Sequence, residues 1–161
     1  MPDSAPIVKM RELPCGMYNA HLDDKGRLKL PTQFQRYFGA LDDPRLFVTS
    51  LDRRIARIFP LALWRVHEHF IETYAGDPKL PKRMLFNAAD LGGEAEMDAQ
   101  GRVLFAPELR RELGIENQNV RIRNSKGWVE VLSEKIYEEM KRDAAGLTED
   151  DVSNVEAPRP N

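Results

Sequence analysis

The feature that most constrains the fold of this chain is a motif that occurs twice. The segment Leu-Asp-Asp-Lys-Gly-Arg-Leu at 22–28 returns as Met-Asp-Ala-Gln-Gly-Arg-Val at 97–103, 75 residues later. Such a duplication predicts one supersecondary unit of about 45 residues whose two copies bury their apolar faces against each other. Further positions repeat at the same spacing: Leu30 and Phe105, Phe34 and Leu109, Arg36 and Arg111, Phe38 and Leu113, Gly39 and Gly114.

Each copy begins with a pattern typical of two strands joined by a tight turn. Apolar side chains alternate with polar ones over 18–22, and again over 28–30. Gly26 lies between the two segments, where a hairpin turn favours a positive φ, and Gly101 takes its place in the second copy. The pattern therefore predicts a β-hairpin at each motif.

Helical periodicity follows each motif. In 31–39, aromatic residues recur at i, i+3 and i+4 and a glycine comes next; the second copy begins at Pro107 and ends before Gly114. After two more strands, 64–74 has an apolar stripe at helical spacing, and Ser133 is a good N-cap for a last helix. The chain is therefore predicted to be mainly β with flanking helices.

Composition marks the two ends as different from the middle. The first 12 residues show no periodicity, and the last 19 have almost nothing apolar to bury. We therefore divide the chain into a flexible N-terminal extension at 1–12, a first repeat at 17–63, a helical connector at 64–91, a second repeat at 92–135, the end of a C-terminal helix at 136–142 and a disordered acidic tail at 143–161.

The net charge of −2 conceals a basic region. Residues 13–65 contain nine Lys or Arg against five Asp, whereas 133–161 contain four basic and eight acidic groups. A basic module of this kind is either a solvated surface or a surface for nucleic acid.

The Asp-x-x-x-Arg motif allows a structural and a functional interpretation. Each Asp can accept hydrogen bonds from the turn backbone, while the Arg either spans the neighbouring strand or contacts DNA. The first copy has Lys25, Arg27 and Lys29, but the second has only Arg102 at these places. We therefore expect the first copy to bind and the second mainly to complete the fold. We assign the turn structure to Asp23, Gly26, Asp98, Gly101 and Arg102.

Several classes of function find no support in the sequence. The only cysteine, Cys15, excludes an internal disulfide, and His67 and His69 are spaced to point away from each other on a helix rather than to share a metal. No segment has the apolar length of a membrane span, and no nucleophile lies beside a base. We predict a non-enzyme with no catalytic residues, cofactor, metal or small-molecule substrate.

The two motifs resemble those of the MraZ family of transcriptional regulators. The similar segments are Leu-Asp-x-Lys-Gly-Arg-Leu-x-Leu-Pro at 22–31 and Met-Asp-x-x-Gly-Arg-Val-Leu at 97–104. The resemblance implies a pseudo-twofold, swapped-hairpin (AbrB-like, double-psi) β-barrel built from two tandem repeats. It also implies a ring of subunits larger than a dimer.

The same resemblance implies double-stranded DNA as the partner. The family binds short direct repeats upstream of the division and cell-wall gene cluster and usually represses it. Carried over to this chain, the DNA contacts fall on Lys25, Arg27, Lys29 and Arg36. A cytoplasmic, nucleoid-associated protein without a membrane partner is expected. The alternative, of a different class, is an oligomeric scaffold without DNA or an AbrB-like module that binds a partner protein as an antidote.

Overall fold

The computed structural model describes residues 13–160, so the predicted extension at 1–12 lies outside the described residues. Within 13–160 the chain forms eight strands and six helices. The strands are β1 (Met17–His21), β2 (Arg27–Lys29), β3 (Arg45–Thr49), β4 (Ala56–Pro60), β5 (Gly93–Glu96), β6 (Arg102–Leu104), β7 (Asn119–Ser125) and β8 (Trp128–Ser133). The helices are α1 (Thr32–Gly39), α2 (Leu61–Glu72), α3 (Lys79–Leu91), α4 (Pro107–Leu113), α5 (Glu134–Ala144) and α6 (Glu149–Glu156).

The two copies exchange strands. One sheet has the order β1-β7-β8-β4-β3-β5, and β2 and β6 form a separate two-stranded ribbon; all of these pairs are antiparallel. The first strand of each copy therefore pairs with the third strand of the other, as Tyr18 opposite Ile122 and Leu46 opposite Ala95 illustrate. The predicted mainly β fold with flanking helices is confirmed, while the double-psi barrel stays a prediction.

The prediction that the first two strands of a copy pair with each other as a hairpin is wrong. After the turn at Gly26, β1 and β2 share a single bridge, between Leu22 and Leu28. β1 then pairs with β7 and β2 with β6. Alternating side chains reveal that a strand is present and which face is buried, but they do not identify the neighbouring strand.

The duplicated apolar positions meet in one core. Leu28 and its counterpart Val103 are fully buried, as are Phe34 and its counterpart Leu109. All four belong to a single cluster that takes residues from both copies. Because each copy supplies half of this cluster, neither could keep its apolar face from water alone.

A smaller apolar cluster lies under α2 and α3. Phe59 of β4 packs between Trp64 of α2 and Trp128 of β8, with ring centres 5.2 and 5.3 Å apart. Ala88 and Ile71 complete the contacts from the two helices. This cluster attaches the helical connector to the large sheet.

The ends of the short helices differ between the copies. α4 has Pro107 in its first turn and ends at Gly114, whose φ of 65° is left-handed. α1 includes Gly39, and Ala40 after it keeps a right-handed conformation. The glycine predicted to stop the first helix is therefore its last residue and not a left-handed cap. The N-cap predicted for α5 is confirmed, because Ser133 Oγ accepts a hydrogen bond from the backbone N of Ile136 at 3.2 Å.

The predicted disordered tail contains a helix, α6. Thr148 Oγ1 accepts a hydrogen bond from the backbone N of Asp151 at 3.1 Å, and Asp151 Oδ2 accepts one from the backbone N of Thr148 at 3.0 Å. This capping box, with acidic side chains at the positive end of the helix, stabilises it locally. No residue of α6 is buried, so composition correctly indicated that this segment adds nothing to the core.

We predict that Gly101→Ala destabilises the fold more than Gly114→Ala does. Both glycines have a positive φ, 77° and 65°, so an alanine at either is strained by about 1 kcal/mol. Only at Gly101 would a Cβ also meet another side chain, that of Gln35; at Gly114 it would meet no atom of the described residues within 4 Å. Denaturant unfolding of both variants measures the difference, and equal losses would contradict the close contact described here.

Candidate nucleic-acid interface

The first Asp-x-x-x-Arg motif forms a turn organised by its own carboxylate. Asp23 Oδ1 accepts hydrogen bonds from the backbone N of Lys25 and of Arg27, both at 2.9 Å. Asp23 Oδ2 accepts a third from Arg27 Nε at 3.0 Å. Gly26 occupies the left-handed position of the turn, with a φ of 82°. The spacing of the motif therefore lets one carboxylate hold both the turn and the arginine.

The second motif repeats this geometry. Asp98 Oδ1 accepts from the backbone N of Gln100 and of Arg102 at 2.9 Å, and Oδ2 accepts from Arg102 Nε at 2.8 Å. Gly101 has a φ of 77°. The structural interpretation of the aspartate is thus observed in both copies.

These hydrogen bonds lower the pKa of both aspartates. For Asp23 the largest cause is the hydrogen bond from the backbone of Arg27, and for Asp98 it is the equivalent bond from Arg102. Hydrogen bonds and the guanidinium charge both favour the ionised form of a carboxylate. Each turn therefore keeps its negative charge at neutral pH.

The two turns bind each other through the backbone. Leu30 N donates to Gly101 O at 2.9 Å, and Phe105 N donates to Gly26 O at 2.8 Å. Between these bonds, β2 and β6 pair, with Leu28 opposite Val103. The motifs that lie 75 residues apart in sequence thus form one two-stranded ribbon.

The outer face of the ribbon, called the cationic face below, carries three basic side chains, of which Arg27 and Arg102 are ion-paired with the motif aspartates. Leu28 and Val103 point into the core and are fully buried, so Arg27, Lys29 and Arg102 lie on the opposite face. Lys29 is directly opposite Arg102, and its Nζ donates to the carbonyl oxygen of Gln100. The structure therefore brings a cation of the second copy next to those of the first, which the sequence assigned to separate loops.

Sequence analysis missed the residues that cover the turns. The side chain of Arg110, on α4, packs against Gly26 with its guanidinium, and the side chain of Gln35, on α1, packs against Gly101. These two positions correspond under the same 75-residue shift. Arg110 Nε is buried without a hydrogen-bond partner among residues 13–160. The correspondence of Gln35 with Arg110 was visible in the sequence, but the exchange that places each on the opposite turn was not.

Arg36, the fourth predicted DNA contact, lies apart from the turn of its own copy. It is exposed on α1, directly after Gln35, which covers the second turn. Lys25 is exposed beside Gly26 in the first turn. The four predicted residues therefore lie on three elements: the first turn, the ribbon and α1.

Much of the basic excess over 13–65 is neutralised by neighbouring carboxylates. Arg45 pairs with Asp43 at 2.8 Å, and Arg54 pairs with Glu139 of α5 at 2.6 Å. The regional charge thus overstates the cationic surface. Lys25, Lys29, Arg36, Arg57 and Arg65 form no ion pair with a carboxylate within residues 13–160.

Arg53 joins the two copies to the helical connector. It has a left-handed φ of 61°, and its guanidinium donates to Glu112 of α4 at 2.6 Å and to Asp90 of α3 at 2.9 Å. It also donates to Asn87 Oδ1 at 2.9 Å. This arginine belongs to the internal structure and not to the cationic face.

Two properties of the described chain bear on its class. Within residues 13–160, no helix combines the length and the apolarity that a membrane crossing requires. The same residues contain no group of three or more His, Cys, Asp or Glu placed to hold a metal ion.

Comparison with known proteins gives several relatives with the same name. A transcriptional regulator MraZ of Acidobacterium capsulatum is 32% identical over 124 residues, which cover 77% of this chain and 84% of the relative. Those of Koribacter versatilis and a Polaromonas species are 37% and 35% identical over 101 and 106 residues, covering 60% and 65% of this chain and 66% and 72% of the relatives. No protein-family model matches the chain.

These relatives are all transcriptional regulators by name, and they place the chain in that class of protein. Because the first of them is 32% identical over most of both chains, the family follows as well. The chain belongs to the MraZ family, and the resemblance inferred from its two motifs is confirmed.

We predict that the stability of the fold decreases in acid partly through the two motif aspartates. A carboxylate whose pKa is lowered by folding stabilises the native state above its unfolded pKa, here 3.8, and loses that contribution as the pH falls through the folded pKa. Replacing both Asp23 and Asp98 with Asn keeps an acceptor oxygen but removes the titration.

The melting temperature of the double variant should fall less than that of the original chain between about pH 5 and about pH 3. The matched control is Asp24→Asn, which removes an exposed carboxylate from the first turn that holds no backbone N–H. The control should keep the acid dependence of the original chain. An unchanged acid slope in the double variant would contradict the prediction.

Proposed function

We propose that this regulator acts by binding double-stranded DNA with sequence specificity, through the cationic outer face of the β2–β6 ribbon. The observation that supports this most directly is the placement of Arg27, Lys29 and Arg102 on one exposed face of a ribbon built from both copies. A two-stranded ribbon fits the major groove, and arginine or lysine side chains can contact phosphates and guanine edges from it.

The proposed contacts are those inferred from the sequence, with one addition. Asp23 holds Arg27 by its Nε, which orients the planar guanidinium and leaves its terminal nitrogens to donate to DNA. Arg110 adds a second guanidinium at Gly26, because its side chain covers this turn. The full set comprises Lys25, Arg27, Lys29 and Arg36, together with Arg110.

The operator and its regulation are proposed from the family resemblance. We infer that the chain binds short direct repeats upstream of the division and cell-wall gene cluster and represses it. One subunit offers few cations and binds weakly, but a ring that presents its ribbons at regular intervals engages several repeats at once. Each DNA repeat of the operator would therefore bind the ribbon of one subunit of the ring.

A homo-oligomer larger than a dimer is part of this proposal. The apolar stripes of α2 and α5 are covered in part within the chain, since Trp64 and Ile136 are buried. Other apolar side chains remain in water: Val66 on α2 and Phe86 on α3 are each 67% exposed. Exposed apolar surface of this kind supports contacts between subunits.

We predict that light scattering at micromolar concentration gives a mass more than twice the 18.5 kDa of one chain. The physical reason is that burial of Val66 and Phe86 between subunits removes apolar area from water. A mass of one or two chains under these conditions would contradict the ring.

We predict that Arg27→Ala eliminates binding to the DNA upstream of the protein's own gene, while Arg102→Ala has a much smaller effect. A lost phosphate or base contact of about 1 kcal/mol in each subunit is multiplied over the ring. The two variants are matched, because each removes an arginine that donates to the aspartate four residues earlier. Gel-shift titrations of both variants, at the same salt concentration, measure the difference.

Light scattering and melting temperature serve as controls for these variants. Both should stay nearly unchanged, since partly exposed Arg–Asp pairs contribute little to stability. If Arg27→Ala retains DNA binding, or if Arg102→Ala loses binding equally in an intact ring, the DNA-binding surface lies on another face of the protein. If the original chain binds no DNA but binds a protein partner in a fixed ratio, this result would favour the scaffold or antidote function instead.

A further inference from the structure

A cavity of about 340 Å³ lies away from the ribbon, between the helical connector and the β7–β8 turn. Its walls are mainly apolar, with contributions from α2, from the beginning of α3 and from the sheet. A cavity of this volume is at the lower end of the range for small-molecule sites. The apolar side chains that line it include Phe70, Ile71, Tyr74, Leu80 and Met84.

The polar groups of this cavity are cationic or titratable, and no Asp or Glu of residues 13–160 lines it. Arg57, Lys126 and His67 are present. The guanidinium carbon of Arg57 lies 4.8 Å from the ring centre of Trp128. Glu130, which is opposite Arg57 in the sheet, accepts instead a hydrogen bond from Arg123 at 2.9 Å. The positive charge of Arg57 is therefore left facing an apolar wall.

The pKa directions agree with this geometry. Burial lowers the pKa of Arg57, and Glu130 and Asp52 oppose it only in part, through their charges. For His67, burial lowers the pKa first, and the charges of Arg57 and Lys126 lower it further. Both groups are thus in a region where positive charge is poorly compensated.

Trp128 gives a second, independent observation. Trp128 is one of the residues that line the cavity, it is only 8% exposed, and its indole Nε1 is buried without a hydrogen-bond partner among the described residues. A buried indole N–H normally finds an acceptor, because leaving a donor unpaired away from water is costly. The cavity therefore combines two cations with an apolar wall that includes a buried indole without an acceptor.

We propose that this cavity binds a small amphipathic carboxylate, with its anionic head beside Arg57 and Lys126 and its apolar body against Phe70, Trp128 and the neighbouring apolar side chains. Each part of the ligand is complementary to one feature of the cavity. The carboxylate accepts charge-assisted hydrogen bonds and compensates the cations, and the short chain or ring fills the apolar volume. This site is separate from the DNA surface proposed above.

The first experiment compares two probes that differ only in the head group. Octanoate and octan-1-ol are titrated calorimetrically into the full chain. Octanoate should bind in a saturable manner with one site per chain, and octan-1-ol should bind at least about tenfold more weakly because it lacks the charge. Equal affinities, or no saturable binding of octanoate, would overturn the proposal.

The second experiment locates the site with variants. Lys126 is exposed in the β7–β8 turn with a φ of 56°, a conformation that asparagine tolerates, so Lys126→Asn removes the charge without strain. Trp128→Phe removes the indole on which Arg57 packs and keeps a smaller ring. Both should weaken octanoate binding by about three- to tenfold. The matched control Lys135→Asn removes an exposed lysine of α5, outside the cavity, and should change nothing.

Melting curves and light scattering accompany each variant. If Trp128→Phe lowers the melting temperature, Lys126→Asn alone decides the location. An equal loss of binding in the Lys135→Asn control would show general attraction of anions and overturn the proposal. Octanoate binding that occurs only in dissociated subunits would also overturn it, because the cavity would then be filled by a neighbouring chain.

Discussion

The whole structure depends on two reciprocal backbone hydrogen bonds between the motif turns. Leu30 N donates to Gly101 O and Phe105 N donates to Gly26 O, and between them the β2–β6 ribbon forms. These bonds require each glycine carbonyl to face the opposite copy, which the left-handed turn provides. On either side of the first turn, β1 pairs with β7 and β2 pairs with β6, so both strands pair with the other copy. The motif thus joins the two copies, in addition to the binding role proposed for it.

A large part of this fold follows from the sequence, and the missing part has a physical cause. Helix α4 was predicted from Pro107 and Gly114, and the strands from alternation, because these signals are local. The pairing of β1 with β7 was not predicted, since alternation carries no information about partners. The internal repeat indicated that the copies pack together. It did not indicate whether they exchange strands, because copies that exchange strands and copies that only pack side by side bury the same residues.

The candidate site was predicted less completely than the fold. The motif correctly predicted that Asp23 accepts hydrogen bonds from the turn backbone, because its spacing suits one carboxylate, but it did not predict the bond from Arg27 Nε. Regional charge was a poorer guide: it counted Arg45 and Arg54, which neighbouring carboxylates neutralise. It also left out Arg110, which reaches the first turn from the other copy. Net charge over a segment does not record which carboxylates lie beside it in space.

The strand exchange also determines when each strand can find its partner during synthesis on the ribosome. His21, at the end of β1, hydrogen-bonds to Asn119, 98 positions further along the chain. At the usual speed of synthesis, β1 waits about 5 to 20 s before its partner strand has been made. During this time its apolar residues have no final place in a sheet, and contacts so distant in sequence form slowly. The duplication that lets two short segments share one core therefore exposes the nascent N-terminal half to chaperones and to neighbouring nascent chains.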